Sequence, residues 1–189
     1  RFNLKLKNYI IIFNYYLNHK FKNPKNFFVS CKRKINVFFY KIFNAYPTST
    51  PFLSGDTFRK FATFIYTGNK FTLKKSEIIF VQSDLLNNFQ DNINNIKKNF
   101  VLISHNGDDL IDEKYYKILN NKYLIKWYSA NTVIRNNKII PIPLGLQNSR
   151  YQLFGVVNDF KKLRIKKKKK IQKILCSFNI GTNPSQRKP

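Results

Sequence analysis

The chain has 189 residues, 35 Lys and Arg against nine Asp and Glu, and two cysteines, Cys31 and Cys176. That length allows one domain with a buried core, or one domain and the start of another. Two distant cysteines without a CxxC spacing exclude a disulfide scaffold and give no zinc signature, so both read as reduced thiols.

A formal charge of +26 points to a polyanionic partner such as nucleic acid or an acidic membrane. The distribution argues against the simplest form of that reading. Residues 1–55 carry ten basic side chains and no acid, and residues 160–189 carry eleven and no acid; residues 56–159 carry fourteen against all nine acids, a net +5. Lys, Asn, Ile, Phe and Tyr, all abundant here, share codons rich in A and T, so the lysine excess reads first as genome composition. Nucleic-acid binding is therefore the alternative and not the first reading. No Met occurs, and a new apolar run has begun shortly before Pro189, so the chain reads as a fragment.

In chain order, Tyr9 to Leu17 is an apolar run interrupted by Asn14, far short of the roughly 20 residues that span a bilayer. It reads as a buried strand or short helix, or as the remnant of a signal or anchor. Phe27–Ser30 and Val37–Tyr40 are aromatic and β-branched runs around the basic turn Cys31–Lys34, which predicts two strands. Stacking of single-stranded nucleic acid on these aromatics is the alternative. Ala45–Thr50 reads as a loop and Pro51–Leu53 as a short strand. Phe58, Phe61, Ala62, Phe64 and Ile65 then share one face of a helix capped by Asp56 and stopped at Gly68. Free N–H groups at the start of such a helix offer an anion site, or a capped helix and nothing more.

Glu77–Gln82 is the next strand. Leu85, Leu86, Phe89, Ile93 and Ile96 mark a helix opened by Ser83 and Asp84. Phe100–Ile103 is an unbroken apolar run that ends in Ser104, His105, Asn106, Gly107, Asp108 and Asp109. A buried parallel strand with polar groups at its carboxyl end is where α/β sheets bind ligands, at a topological switch point. A helix over 112–119 and strands at 123–128 and 138–144 follow. The pattern predicts a Rossmann-like α/β fold, a mainly parallel sheet with helices on both faces. It carries neither GxGxxG nor GxxxxGK[ST], so neither a dinucleotide site nor a P-loop is expected. Five lysines at 166–170 read as a linker, and Ile174–Phe178 as the first strand of a second α/β domain. The expected division is 1–155, a linker at 156–173, and the truncated second domain from 174 to 189.

SGDTFRKFA at 54–62, SHNGDD at 104–109, KWYSAN at 126–131, PIPLGLQNSRY at 141–151 and SFNIGTNPSQR at 177–187 together resemble, in order and spacing, a group of exostosin-like glycosyltransferases. The resemblance implies two Rossmann-like domains facing across a cleft, the first contacting the acceptor and supplying a catalytic base, the second binding a nucleotide sugar. On that view this chain holds the acceptor half and the first strand of the donor half; the alternatives to a transferase are a basic nucleic-acid-binding protein and a non-catalytic α/β domain. A base must take the proton from the acceptor hydroxyl, and His105, Asp108, Asp109 and then Asp56 are the candidates. For His105 a structural role is the alternative, and for Gly107–Asp109 a helix cap. Ser54, Gly55, Arg59, Ser104, Asn106, Asn131, Gly145 and Asn148 are candidate substrate contacts, with Gly145 and Asn148 alternatively forming an interdomain turn. Asn179, Thr182 and Arg187 suit the donor diphosphate. No DxD occurs, so no metal or cofactor is expected beyond the nucleotide sugar. The partners implied are that donor and a glycan acceptor, with a membrane anchor, if any, outside the chain and the compartment either cytoplasmic or membrane-associated.

Overall fold

The computed structural model describes residues 24–166. The apolar run at 9–17, the proposed strand at 174–178, Cys176 and the candidates Asn179, Thr182 and Arg187 lie outside the described residues. The chain divides into two compact units that meet after Val157, and the first carries the sheet. The helix Val157–Ile165 begins at that boundary and has no buried side chain. Among the described residues no helix is long and apolar enough to cross a membrane.

Five parallel strands form one sheet: β1 (Phe64–Ile65), β2 (Glu77–Gln82), β3 (Phe100–His105), β4 (Leu124–Ser129) and β5 (Ile139–Pro141). Four of the five follow the sequence expectation, because runs such as EIIFVQ and FVLISH are apolar, β-branched and bounded by polar turns. The fold is α/β with a parallel sheet. Its strand order is sequential, β1 to β5, so no reversal of order falls beside β3 and the expected switch point at His105 is not there.

Sequential order has a second consequence. Right-handed crossovers that all step the same way leave their connections on one face of the sheet. The main core lies on that face, where Ile79, Val81, Phe100, Leu102, Leu124, Trp127 and Ile139 from the strands meet Leu86, Phe89, Tyr115, Ile118 and Leu119 from the connections. The helices involved are short: α3 (Leu86–Asp91) and α4 (Tyr116–Leu119), each entered through a 3-10 turn. The single helix expected over 83–96 is thus broken, with a second 3-10 turn at Ile93–Asn95, although Ile93 and Ile96 still reach the core. Asp112 caps the turn into α4, its carboxylate accepting from the Lys114 N–H.

The register pairs Leu102 with Trp127 and Ser104 with Ser129. Trp127 Nε1–H donates to Ser104 Oγ at 2.8 Å, and Ser104 Oγ lies 2.6 Å from Ser129 Oγ. Ser104 therefore satisfies the one polar group of a buried indole, on the face opposite to its neighbour His105. On that second face Phe80, Ile103 and His105 are buried, while Ile78, Val101, Tyr128 and Ile140 are half-exposed.

Three local expectations change. Residues 24–42 form one helix, α1, not two strands. Pro24 suits a first helical position, and Phe28, Ile35, Phe39 and Ile42 recur at helical spacing through both aromatic runs. Pro51–Leu53 is a turn whose ladder contact is a single parallel bridge between Ser54 and Leu146. The helix after Ser54 is only α2 (Gly55–Arg59), and its cap is Ser54, not Asp56. Beyond it Phe64 and Ile65 leave the helical pattern to pair with Ile79 and Phe80, since aromatic and β-branched residues gain more as an added strand.

Trp127 is fully buried and both fills the core and ties β3 to β4. Trp127→Ala should lower unfolding free energy by about 3–5 kcal/mol. Denaturant melts with an unchanged m-value check this.

Candidate functional site

Asp56 is fully buried although it sits in the first turn of a five-residue helix. A carboxylate in that position needs partners, and each comes from a different segment. Its backbone N–H donates to Asn148 Oδ1 (2.7 Å), Asn148 Nδ2 donates to Asn106 Oδ1 (2.9 Å), and Asn106 Nδ2 donates to Asp56 Oδ1 (3.1 Å). The three side chains thus close a ring that joins α2, the end of β3 and the loop before residue 149. Asn106 has φ +64, a left-handed conformation that asparagine tolerates better than most residues.

Arg150 completes the arrangement. Its Nε lies 3.2 Å from Asp56 Oδ2, but neither atom has a hydrogen-bond partner, so the two are held by charge and not by a directed N–H. The Arg150 side chain is 22% exposed, and its guanidinium donates to the Tyr151 hydroxyl at 3.3 Å. Burial pushes the Asp56 carboxyl above its ordinary value, and the nearby Arg150 and the Asn106 hydrogen bond only partly oppose that.

A hydroxyl cluster lies beside the ring. Ser49 Oγ donates to Ser54 Oγ (2.9 Å) and lies 3.0 Å from Ser149 Oγ, and the Ser49 N–H donates to Thr57 Oγ1 (3.0 Å). Ser49, Thr57, Ser149 and Arg150 are members of the site that motif reading missed. Their only sequence signal was position beside SGD and QN. Leu146 N–H donates to Leu53 O (2.8 Å), binding the same two loops through their backbones.

Two glycines are required by this closeness. A Cβ on Gly55 would overlap Asn106 Oδ1 and His105 Nδ1. Gly145 has φ +70, and a Cβ there would overlap Leu53 O, so it forms the turn that lets the loops meet.

The expected anion site at the start of α2 is absent, because the Asp56 N–H goes to Asn148 and the Thr57 N–H to Ser54. His105 is 5% exposed and stacks on Phe58, with ring centroids 5.6 Å apart. Its Nδ1 accepts from the Asn106 N–H at 2.7 Å, which leaves the proton on Nε2, 3.4 Å from Pro143 O. An imidazole so occupied is a strut between β3 and the 143 loop, and it has no free lone pair to act as a base.

The other candidates separate. Asp108 is exposed with no partner among the described residues, and Asp109 accepts a hydrogen bond from the Tyr115 hydroxyl at 3.1 Å. Burial and that carboxylate together hold the Tyr115 hydroxyl proton well above the usual range. Arg59 stacks on Tyr46. Asn131, exposed with φ +55, forms a turn after β4 in which its carbonyl accepts from the Ile111 N–H, and it stands apart from the ring, as does Ser104. Among the described residues no three His, Cys, Asp or Glu side chains converge as a metal site would require.

Gly55→Ala should break the ring and cost at least about 1–3 kcal/mol in thermal or chemical melts. Asp56→Asn keeps the shape and an acceptor for Asn106 while removing the charge. Because the folded carboxyl is raised, its contribution to stability is complete below the ordinary value of 3.8 and is lost as pH rises through the folded one. Melts across pH should therefore show Asp56→Asn gaining on the wild type as pH climbs above about 4 and then levelling.

No protein-family model, curated protein or solved structure matches the chain.

Proposed function

We propose that the protein is an exostosin-like glycosyltransferase and that the sheet described here is its acceptor-side, Rossmann-like domain. The observation that carries this reading is that SGDTFRKFA, SHNGDD and QNSRY, three of the motifs behind the resemblance, meet in one ring through the buried Asp56 and Asn148 and the half-buried Asn106. Segments some 40–90 residues apart are joined at the carboxyl end of a buried parallel strand, the position at which α/β sheets build ligand sites.

The chemical roles follow from access. Asp56 and His105 are sealed in, so they position the loops and do not touch an acceptor. Asp108, two residues beyond Asn106 and exposed, is the base: it takes the proton of the acceptor hydroxyl as that oxygen attacks the anomeric carbon and the nucleoside diphosphate leaves with the bond electrons. Asp109 is held back by Tyr115 and shapes the turn. Asn179, Thr182 and Arg187 take the departing diphosphate in this reading, with positive charge in place of a metal.

Calorimetry on a chain that includes the donor-side domain, scanned against UDP, GDP, CDP and their sugars, tests the class. Saturable binding weakened by Arg187→Ala supports it, and a folded protein that binds none of them contradicts it. In a transfer assay Asp108→Asn should lower turnover by about 10²–10⁴-fold with the melting temperature unchanged. Equal turnover would remove Asp108 as the base.

A further inference from the structure

Arg59 is a cation of the site whose directed donors are not taken up, although its charge acts on Asp56. Its guanidinium carbon lies 3.8 Å from the centroid of the Tyr46 ring and 5.8 Å from that of Phe80, and its N–H groups make no hydrogen bond or ion pair among the described residues. A guanidinium held on an aromatic face keeps its in-plane donors directed outward and loses little freedom when it binds. The Arg150 guanidinium carbon is 4.7 Å from the same Tyr46 ring. Beside them runs an open groove of about 380 Å³, lined by Ala45, Tyr46, Pro47, Arg59 and Lys60, at the small end of the range for ligand clefts.

We propose that this groove binds an oxyanion, a phosphate or a carboxylate on a small ligand, with Arg59 giving the directed hydrogen bonds and Lys60 the added charge. No acid lines the groove; Asp56, buried behind it, feels the charge of Arg150 first and of Arg59 second, and makes its ion pair with Arg150. Packing on Tyr46 alone explains where Arg59 lies, but not why two guanidinium groups share one ring beside an opening that Lys60 also lines and no acid does. Forked guanidinium donors with an adjacent ammonium are the arrangement that recognises phosphate and carboxylate. The inference does not depend on the transferase reading, since it concerns binding alone.

The test is titration of the full chain with inorganic phosphate and, separately, with glucuronate, at fixed ionic strength, followed by the arginine Nε–H resonances and by calorimetry. Saturation by either anion that moves the Arg59 resonance is the expected result, and the two arms say which oxyanion fits. Arg59→Gln should weaken binding at least about tenfold and Lys60→Gln about threefold. The exposed Lys98→Gln should leave it unchanged. Lys60 is exposed, so its variant keeps the test valid if Arg59→Gln melts early. Binding that survives both groove variants, or no saturation by either anion, overturns the proposal.

Discussion

The burial of one carboxylate governs this end of the molecule. Asp56 has no contact with solvent, and the position in a short helix offers it nothing but its own backbone. Leaving a charge there unmatched is costly enough that the chain must bring partners from elsewhere. It brings Asn106 from the end of β3, Asn148 and Arg150 from the loop after β5, and two glycines that let these segments touch. The raised proton affinity of Asp56 says that even these partners do not fully repay the lost water. The ring is therefore poorly explained as a device for stability. Its effect is to fix the relative placement of three loops, with Asp108 on one of them and Arg150 on another.

The sheet supplies the rigid part of that placement. β3 is central, parallel to both neighbours, and its register holds Ser104 against Trp127 and Ser129 on the core face. Alternation along the strand then turns His105 to the other face, under Phe58 of α2. One strand end thus anchors the core through one residue and the site through the next. α1 packs on the Ser149–Tyr151 turn and so backs the same loops from outside the sheet.

The strands were legible because a buried parallel strand is a short continuous apolar run, and β2, β3 and β5 are such runs, while β4, LIKWYS, is branched and aromatic on either side of Lys126. The helices were less so. FFVS and VFFY contain the residues that favour strands, and only the longer spacing through Ile35 and Ile42 marks α1. The segment after Ser54 has a helical pattern on paper, but pairing of Phe64 and Ile65 with β2 outweighs local propensity. The site was half legible. Asp56, Asn106 and Asn148 stood out as polar residues at element ends, yet nothing local says that they touch, because the ring is made by loop closure over many residues. Arg150 and Ser49 gave no signal beyond their place near those motifs, since an arginine and a serine in a polar loop are ordinary. His105 looked like a base and is a strut, a distinction that lies in which ring nitrogen meets a backbone N–H.

The central claim is that three distant segments act as one unit through the Asp56–Asn106–Asn148 ring. A double-mutant cycle on unfolding free energy with Asn106→Ala and Asn148→Ala measures this directly. The account predicts that the double variant departs from the sum of the single ones by about 0.5–3 kcal/mol, as expected for residues that share a hydrogen-bond network. Additivity within about 0.3 kcal/mol would mean that the two side chains act independently and would contradict it.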